Sequence, residues 1–236
     1  MDRYYTIGEK VNGYSILSMI GEGRYGIAYM AINDRNEKCV IKQLKKDMLY
    51  STRKKLFYEE KILRTLNNPH FPKFISNFKD HDRKGYILEY IEGEVFENLL
   101  AIDNYKFSKK EIYKVARQLL SLINILHQNG IVHRDIRLPN VILKKNSDIA
   151  LIDFGLARII DNKEYVKTTD YWFMGDFLIH LYYSSYEVTN KKENPWYEEL
   201  DLNLEEKIFL KKLMNLSGSY KNAYEIKKQL DKIENC

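Results

Sequence analysis

The chain has 236 residues, of which 44% are hydrophobic and 30% are charged, and its formal net charge is +5. This composition is typical of a globular protein that can bury a sizeable core, and no apolar run approaches the roughly 18 residues that a membrane span requires. The first residues lack the apolar stretch of a signal peptide, and two cysteines (Cys39 and Cys236) provide no disulfide framework, so we expect a cytoplasmic protein without a membrane segment.

Strands are predicted in the first ninety residues, where β-branched and aromatic side chains are separated by glycine-rich or polar turns. The predicted strands cover residues 14–20, 27–33, 38–44, 74–78 and 86–89. Residues 51–66 carry apolar side chains at helical spacing, and Asn67-Asn68-Pro69 ends this predicted helix.

Helices dominate the prediction from about residue 94 onward. Ser108 and Glu111 have the spacing of a capping box, and the long apolar helix behind them runs to His127 before Asn129-Gly130. Two short strands are predicted at residues 141–143 and 149–152, and most of the remaining sequence is helical in pattern. The order of elements predicts an α+β protein with a small β-rich lobe, a helical lobe and a cleft near residues 89–94.

A glycine-rich turn, Gly21-Glu22-Gly23-Arg24-Tyr25-Gly26, joins two predicted strands. Glycine lets backbone N–H groups approach a phosphate closely, although a tight hairpin is an equally simple interpretation of this motif alone. A dinucleotide site is disfavoured, because that fingerprint requires a helix after the glycines and here a strand follows.

Further along the chain, charged residues are candidates for an ion pair and for a polar site. Lys42 ends an apolar strand, and Glu59 and Glu60 stand on the predicted helix seventeen and eighteen residues later. A buried lysine requires an anionic partner, whereas a strand-end lysine can also extend its ammonium into water. Further on, Asp135 precedes Asn140 by five residues, and Asp153-Phe154-Gly155 begins thirteen residues after Asn140.

Taken in order, the glycine turn, Lys42, the helix glutamate, His133-Arg134-Asp135 with Asn140, and Asp153-Phe154-Gly155 resemble the eukaryotic-type protein kinases. The resemblance spans about residues 14–180. It implies a bilobal kinase fold in one catalytic domain over residues 1–236, with a β-rich lobe to about residue 91 and a mainly helical lobe from about residue 92. It also implies a serine/threonine protein kinase that uses ATP with Mg²⁺ or Mn²⁺.

The resemblance assigns a nucleotide site to the first lobe. The amides of the glycine turn would cover the ATP phosphates, Lys42 would hold the α- and β-phosphates, and Glu59 would orient Lys42. Glu59 is preferred to Glu60 because Ile62 and Leu63 then occupy core positions of the helix. The implied nucleotide contacts are Gly21, Gly23, Tyr25, Gly26, Ala28, Val40, Leu88, Glu89, Ile91 and Ile142. Ala28 and Val40 exchange the valine and alanine that the family usually has there, which keeps the pocket volume similar.

The resemblance also assigns the chemistry of transfer. Asp135 would accept the proton of the substrate hydroxyl, and Arg137, where serine/threonine members usually have lysine, would neutralise charge on the transferred phosphoryl group. Asn140 and Asp153 would hold Mg²⁺ through hard oxygen ligands.

The region after Asp153 departs from the family. Asp170-Tyr171-Trp172-Phe173-Met174-Gly175 resembles the family's Asp-x-Trp-Ser-x-Gly, whose aspartate anchors the His-Arg-Asp backbone, yet only sixteen residues (154–169) precede it after Asp153. Ala-Pro-Glu is absent from the sequence, and Lys221 occupies the place of the arginine that normally pairs with that glutamate. We therefore expect peptide docking to differ from that of longer members.

Alternatives remain open at this stage. Thr168 and Thr169 are either phosphate acceptors near Arg134 or caps of the following helix. The acceptor is a protein, including a second copy of this chain, or a small molecule on the same fold. A non-catalytic scaffold is disfavoured because Lys42 and Asp135, together with both implied metal ligands, are present. The scattered lysine pairs predict solvated surface rather than nucleic-acid binding.

Overall fold

The computed structural model describes residues 2–24, 26–46, 53–187 and 194–234, with the side chains of 53–57 outside that description. Its contacts divide the chain into two compact units, Met1–Glu92 and Gly93–Cys236. The first unit is built on a sheet and the second mainly on helices, so the predicted α+β architecture is confirmed. None of the described helices is long and apolar enough to cross a membrane.

The first unit is a six-stranded antiparallel sheet with strand order β1-β2-β3-β4-β6-β5 and one described helix. Its elements are β1 (Lys10–Val11), β2 (Tyr14–Glu22), β3 (Gly26–Asn33), β4 (Lys38–Leu44), α1 (Arg53–Thr65), β5 (Phe74–Asp80) and β6 (Arg83–Glu89). The predicted strands all form, and β6 begins three residues before its predicted start. β1 was not predicted, because two residues are too few to show an alternating pattern.

One face of this sheet carries the core of the first unit. Along β3 and β4 buried residues alternate with partly exposed ones, as the two-residue period of a strand requires. The buried members on this face include Ile27, Tyr29, Cys39, Ile41 and Ile87. The alternate positions of the same strands therefore point to the opposite face, which leaves that face available for polar and ligand-binding side chains.

The N-terminal residues are tied to the sheet through Arg83. The Arg83 side chain is buried, and its guanidinium contacts Glu9 at 2.5 Å and Asp80 at 2.6 Å. The guanidinium also lies 3.6 Å from the centre of the Tyr5 ring. A buried charge is tolerated when it is paired in this way, and the cluster fixes the start of the chain against β5 and β6.

The second unit contains most of the helices. In chain order its elements are β7 (Glu94–Val95), α2 (Phe96–Ala101), α3 (Lys109–Gln128), β8 (Ile131–Val132), a 3₁₀ turn (Leu138–Asn140), β9 (Val141–Leu143), β10 (Ile149–Leu151), β11 (Arg158–Ile159), α4 (Lys167–Tyr183), α5 (Trp196–Glu199), α6 (Leu204–Leu213) and α7 (Ala223–Glu234). Ser108 and Glu111 form the predicted capping box of α3. The predicted strand 149–152 ends one residue earlier, at Leu151.

A buried carboxylate joins three helices of this unit. Glu206 on α6 is fully buried and accepts hydrogen bonds from Tyr113 on α3 at 2.5 Å and from Tyr182 on α4 at 3.2 Å. Lys109 adds an ion pair at 3.0 Å. Burial alone would raise the pKa of Glu206, but these donors, together with the amide of Asn203, lower it overall. The cluster holds the helical frame that carries the segments described next.

Two small antiparallel sheets position the loops of the second unit. β9 lies between β10 and β7, and β11 pairs with β8. Gly93, at φ +151°, approaches β9 so closely that a Cβ atom would lie 2.5 Å from Ile142 Cγ2, so only glycine fits there. These pairings fix both ends of the loop between β8 and β9, which contains residues 133–140.

Candidate active site

The glycine turn connects β2 to β3 and is closed by a hydrogen bond from Gly23 N to Gly26 O at 2.9 Å. Gly21 and Gly23 are exposed, and a Cβ atom on either would meet no heavy atom within 4 Å. At Gly26 a Cβ atom would lie 2.5 Å from the Gln43 carbonyl oxygen, so packing against β4 requires glycine. Tyr25 lies outside the described residues.

Four of the predicted nucleotide contacts share one face of the first sheet. Ala28 pairs with Lys42 across β3 and β4, and Val40 pairs with Leu88 across β4 and β6. Directly opposed residues on antiparallel strands point to the same face, and this is the face opposite the core. The structure therefore brings Ala28, Val40, Lys42 and Leu88 together as an apolar patch with one ammonium group.

Lys42 is paired with Glu59 of α1. The Lys42 Nζ atom lies 2.7 Å from Glu59 Oε1, and the Glu59 side chain is only 4% exposed. Glu60, one residue further, instead accepts hydrogen bonds from Arg64 at 3.0 Å and from Asn77 at 3.1 Å on the surface. The choice between the two glutamates follows from helix geometry, because consecutive side chains point about 100° apart.

The remaining predicted contacts of the first unit lie at its end. The Glu89 amide donates to the Lys73 carbonyl oxygen at 2.8 Å, which fixes the last residue of β6 against the chain that precedes β5. Ile91 follows β6 and is buried. In the second unit, Ile142 is buried on β9, where it pairs with Ala150 and with Val95.

Asp135 is the centre of a polar cluster in the loop between β8 and β9. Its Oδ1 and Oδ2 atoms receive a two-pronged contact from Arg137, at 2.5 Å from Nε and 3.0 Å from Nη2. Asn140 Nδ2 donates to the Asp135 carbonyl oxygen at 2.9 Å and to Oδ2 at 2.8 Å. The contact with Asp135 raises the pKa of Arg137. The structure thus brings the predicted base, cation and amide ligand into one hydrogen-bonded group.

Asp170 fixes the backbone of this loop. Its carboxylate is fully buried in the first turn of α4 and accepts from the amides of His133 at 3.0 Å and Arg134 at 2.8 Å. His127 Nε2, at the end of α3, lies 2.9 Å from Asp170 Oδ2. Arg134 has φ +67°, a conformation that costs energy for a non-glycine residue and requires such anchoring.

Asp153 follows β10 and also has a positive φ, +62°. Its Oδ1 atom accepts from the Gly155 amide at 3.2 Å, and the next side chain, Phe154, packs edge-on against His133 with ring centres 4.7 Å apart. Burial lowers the pKa of His133, against a smaller opposing effect of Asp170, Asp153 and Asp135. The aromatic contact therefore joins the segment after β10 to the loop that carries Asp135.

The oxygen donors of Asn140 and Asp153 fit a metal ion that depends on its substrate for further ligands. Asn140 directs its amide nitrogen to Asp135, so its amide oxygen is the atom suited to a hard cation. In the described parts of the chain, no three His, Cys, Asp or Glu side chains cluster so that they could hold a metal alone. This donor set suits Mg²⁺, which in phosphoryl-transfer sites uses one or two protein ligands together with phosphate oxygens.

The short segment between Asp153 and Asp170 is folded on the same loop. Arg134 donates to the Leu156 carbonyl oxygen at 3.2 Å, and its guanidinium lies 4.7 Å from the centre of the Tyr165 ring. Asp161 Oδ1 accepts from the amides of Lys163 and Tyr165, each at 2.8 Å. These contacts order the segment without a phosphate group.

The prediction that Thr168 or Thr169 caps the following helix is wrong. α4 begins at Lys167, and the N-cap residue is Val166, whose side chain cannot accept a hydrogen bond. Both threonines therefore lie inside the first helical turn. Lys221 is exposed, and its amide donates to Glu225 at the start of α7.

A family model described as "Protein kinase domain" matches residues 14–228. The chain belongs to the protein kinase family. The match covers both units, so the resemblance seen in the motifs is confirmed over most of the sequence.

Similar proteins are found among bacterial and eukaryotic kinases. The chain is 32% identical over 227 residues to the "Probable serine/threonine-protein kinase YbdM" of Bacillus subtilis, covering 93% of this chain and 88% of that protein. It is 29% identical over 181 residues to the human "NUAK family SNF1-like kinase 1", covering 75% of this chain and only 26% of that longer protein.

A solved structure, "PpkA-294 apo form", superposes on 97% of this kinase chain and 100% of its own, with a TM-score of 0.77 and 20% sequence identity. At this identity the likeness supports the fold alone. The predicted bilobal kinase fold, with a β-rich first lobe and a helical second lobe, is thus confirmed.

Two side chains in this kinase were not predicted from the sequence. Tyr86 donates a hydrogen bond to Glu59, and Tyr165 covers Arg134. The face to which Tyr86 points could have been inferred, because Tyr86 lies two residues before Leu88 on the same strand, but its contact with Glu59 could not. The Tyr165 contact joins distant parts of the chain and leaves no periodic signal.

Proposed function

We propose that this kinase is a serine/threonine protein kinase that transfers the γ-phosphate of ATP to a protein hydroxyl group. The observation that carries the proposal is the cluster in which Arg137 and Asn140 hold Asp135 on a loop anchored by Asp170. Such a cluster suits a reaction that depends on positioning and charge neutralisation. The similarity to YbdM, whose name describes a probable serine/threonine-protein kinase, gives independent support.

In the first unit the proposed role is nucleotide binding. The amides of the glycine turn would contact the phosphates, since nothing around Gly21 and Gly23 would obstruct their approach. Lys42, oriented by Glu59, would hold the α- and β-phosphates. Adenine would contact Ala28, Val40 and Leu88, the backbone of Glu89 and Ile91, and Ile142 of the second unit; Gly26 would shape the turn, and Tyr25 would shield the γ-phosphate.

In the second unit the proposed role is phosphoryl transfer. Asp135 would accept or orient the proton of the substrate hydroxyl, and Arg137 would neutralise charge on the transferred group. Asn140 and Asp153 would hold Mg²⁺ or Mn²⁺ through oxygen atoms. When bound, the metal ion neutralises phosphate charge and fixes the direction of transfer.

The further proposals concern setting and partners. We propose that residues 1–236 form one catalytic domain that acts in the cytoplasm on proteins, including copies of itself, and not on nucleic acid. The cytoplasmic setting is proposed because Cys39 is a free thiol, which suits a reducing environment.

The test replaces the proposed base. Asp135→Asn should lower phosphoryl transfer by roughly a hundredfold or more while ATP affinity stays close to that of the wild type, because the base acts on the acceptor and not on the nucleotide. The measurement is transfer from labelled ATP with Mg²⁺ to proteins of a cell extract, with ATP affinity from calorimetry. Asp103→Asn, at an exposed position after α2, is the matched control.

Each result of this labelling experiment supports a different function. Label on proteins that depends on Asp135 supports the proposal. Label on a small metabolite would replace the protein acceptor by a small-molecule acceptor. If no acceptor is labelled although ATP binds, the chain is a scaffold, and undiminished transfer by Asp135→Asn would remove Asp135 from the mechanism.

A further inference from the structure

A buried tyrosine lies beside the Lys42–Glu59 pair. Tyr86 on β6 is opposite Lys42 on β4, so both side chains point to the same face of the sheet. The Tyr86 side chain is buried at 6% exposure, and its hydroxyl donates a hydrogen bond to Glu59 Oε2. The other carboxylate oxygen, Oε1, receives the Lys42 ammonium at 2.7 Å.

The two donors occupy different oxygens of the same carboxylate. Because one donor comes from β4 and the other from β6, the plane of the carboxylate is fixed by two neighbouring strands, whereas the glutamate itself belongs to α1. Glu59 is 3% exposed, so water has little access to either oxygen. Loss of a donor to a buried carboxylate leaves its charge less compensated, which strengthens its attraction for the donors that remain.

We propose that Tyr86 is a positioning residue for nucleotide binding, acting through Glu59 on Lys42. The phenol binds Oε2 and leaves Oε1 directed at the Lys42 ammonium. Without the hydroxyl, Glu59 loses one of its donors, so its carboxylate attracts the Lys42 ammonium more strongly and competes with phosphate for it. This inference rests on the proposed function, since the ligand of Lys42 is the phosphate chain of ATP.

The chemistry of Tyr86 matches this role. A tyrosine hydroxyl is a rigidly placed donor at the end of an apolar ring, so it can cross a buried site without bringing charge into it. The ring also packs against Phe74, with ring centres 6.3 Å apart. Tyr86→Phe therefore retains the packing and removes only the hydrogen bond.

The experiment compares Tyr86→Phe with the wild type and with Tyr14→Phe, which removes a hydroxyl at the start of β2. ATP·Mg²⁺ affinity from calorimetry should fall about tenfold in Tyr86→Phe, as expected for loss of roughly one charge-assisted hydrogen bond, and stay unchanged in Tyr14→Phe. Turnover at saturating ATP should fall less than affinity. In a Lys42→Met background, Tyr86→Phe should have no further effect on ATP affinity.

Two results would overturn the proposal. One is equal ATP affinity in Tyr86→Phe and the wild type, and the other is an undiminished effect in the Lys42→Met background, which would show that Tyr86 acts through packing. A readout without nucleotide separates this proposal from the proposed function. Acylation of Lys42 by acetic anhydride, followed by mass spectrometry, should be slower in Tyr86→Phe even if the wild type does not bind ATP; an equal rate would also overturn it.

Discussion

At the scale of single residues, Asp135 receives three polar contacts although its side chain is largely buried. Arg137 contacts both carboxylate oxygens, and Asn140 reaches one of them. The family resemblance assigned Arg137 to the transferred phosphoryl group, whereas in the structure its guanidinium, on a side chain 55% exposed, contacts Asp135. In the proposed mechanism, a substrate hydroxyl would share the Asp135 carboxylate with Arg137, which would keep positive charge next to the transferred group.

His133 predicts a pH dependence of stability. Burial lowers its pKa from the ordinary value of 6.5, so the folded protein binds fewer protons here than the unfolded chain. Stability is then complete above about pH 6.5 and falls as the pH decreases toward the lowered pKa, by up to about 1.4 kcal/mol per pH unit. Urea unfolding of the wild type and of His133→Gln at about pH 5 and about pH 7.5 measures this change in the free energy of unfolding. The variant should lose less stability than the wild type on acidification.

The control for this prediction is His180→Gln, which removes an imidazole from the exposed side of α4. If His180→Gln reduces the pH dependence as much as His133→Gln, burial of His133 is not the cause. An unchanged slope in His133→Gln would contradict the prediction directly.

Residue identities were predictable where a motif fixes both type and order, as for Lys42, Asp135 and Asp153. The choice of Glu59 over Glu60 also followed from the core positions on the same helix. The third member of the Lys42 cluster, Tyr86, was not predicted, because its role depends on the register between β4 and β6 and not on any local pattern.

At the scale of elements, the segment between β10 and α4 is ordered by its own contacts. Arg134 holds Leu156 and Tyr165, and Asp161 closes the turn before Tyr165. Replacing both Thr168 and Thr169 by alanine should therefore change kinase activity by no more than about twofold, since neither hydroxyl caps α4 and alanine favours a helix.

Activity assays of this double variant, with mass spectrometry of the active wild type, measure the outcome. The expected spectrum shows no phosphate on either threonine in enzyme of full activity. A tenfold or larger loss of activity, or activity that follows phosphate on Thr168 or Thr169, would instead place regulation in this helical turn.

Element boundaries were predictable where the cap is a local signal. Ser108 and Glu111 predicted the start of α3, and the structure contains both hydrogen bonds of their capping box. The start of α4 has no such signal, because its N-cap is Val166 and its stability comes from burial of most of its surface. The two-residue strands β8 and β11 were missed because their pairing joins distant residues.

At the scale of the whole molecule, this kinase has only sixteen residues between Asp153 and Asp170 and no Ala-Pro-Glu. In longer members of the family this region grips the residues next to the acceptor, so less binding energy is available here for a short peptide. We predict that kcat/KM for a folded protein substrate exceeds that for a peptide with the same acceptor sequence by about tenfold or more.

The measurement uses a substrate recovered from the labelled extract, compared with its excised acceptor peptide. A variant of the same substrate that cannot fold serves as the control, because it retains the acceptor sequence without the folded surface. Equal kcat/KM for protein and peptide would show that recognition is local to the acceptor site.

The order of the motifs along the chain was sufficient to predict the family and its two-lobe fold, since five motifs at fitting separations constrain the topology strongly. The mode of substrate recognition was not predictable in the same way. Substrate recognition depends on residues 154–169, a segment that is shorter here than in other family members. Resemblance to the family therefore cannot predict the surface that this segment forms.

The Asp170 carboxylate has a consequence for the order of events during synthesis. The loop that carries Asp135 leaves the ribosome more than thirty residues before the aspartate that accepts its amide hydrogens. Until Asp170 has emerged, the amides of His133 and Arg134 lack the carboxylate that accepts from them in the folded protein. The loop therefore cannot reach its final conformation before the start of α4 has been synthesised, and an activity that depends on Asp135 would begin only after that point.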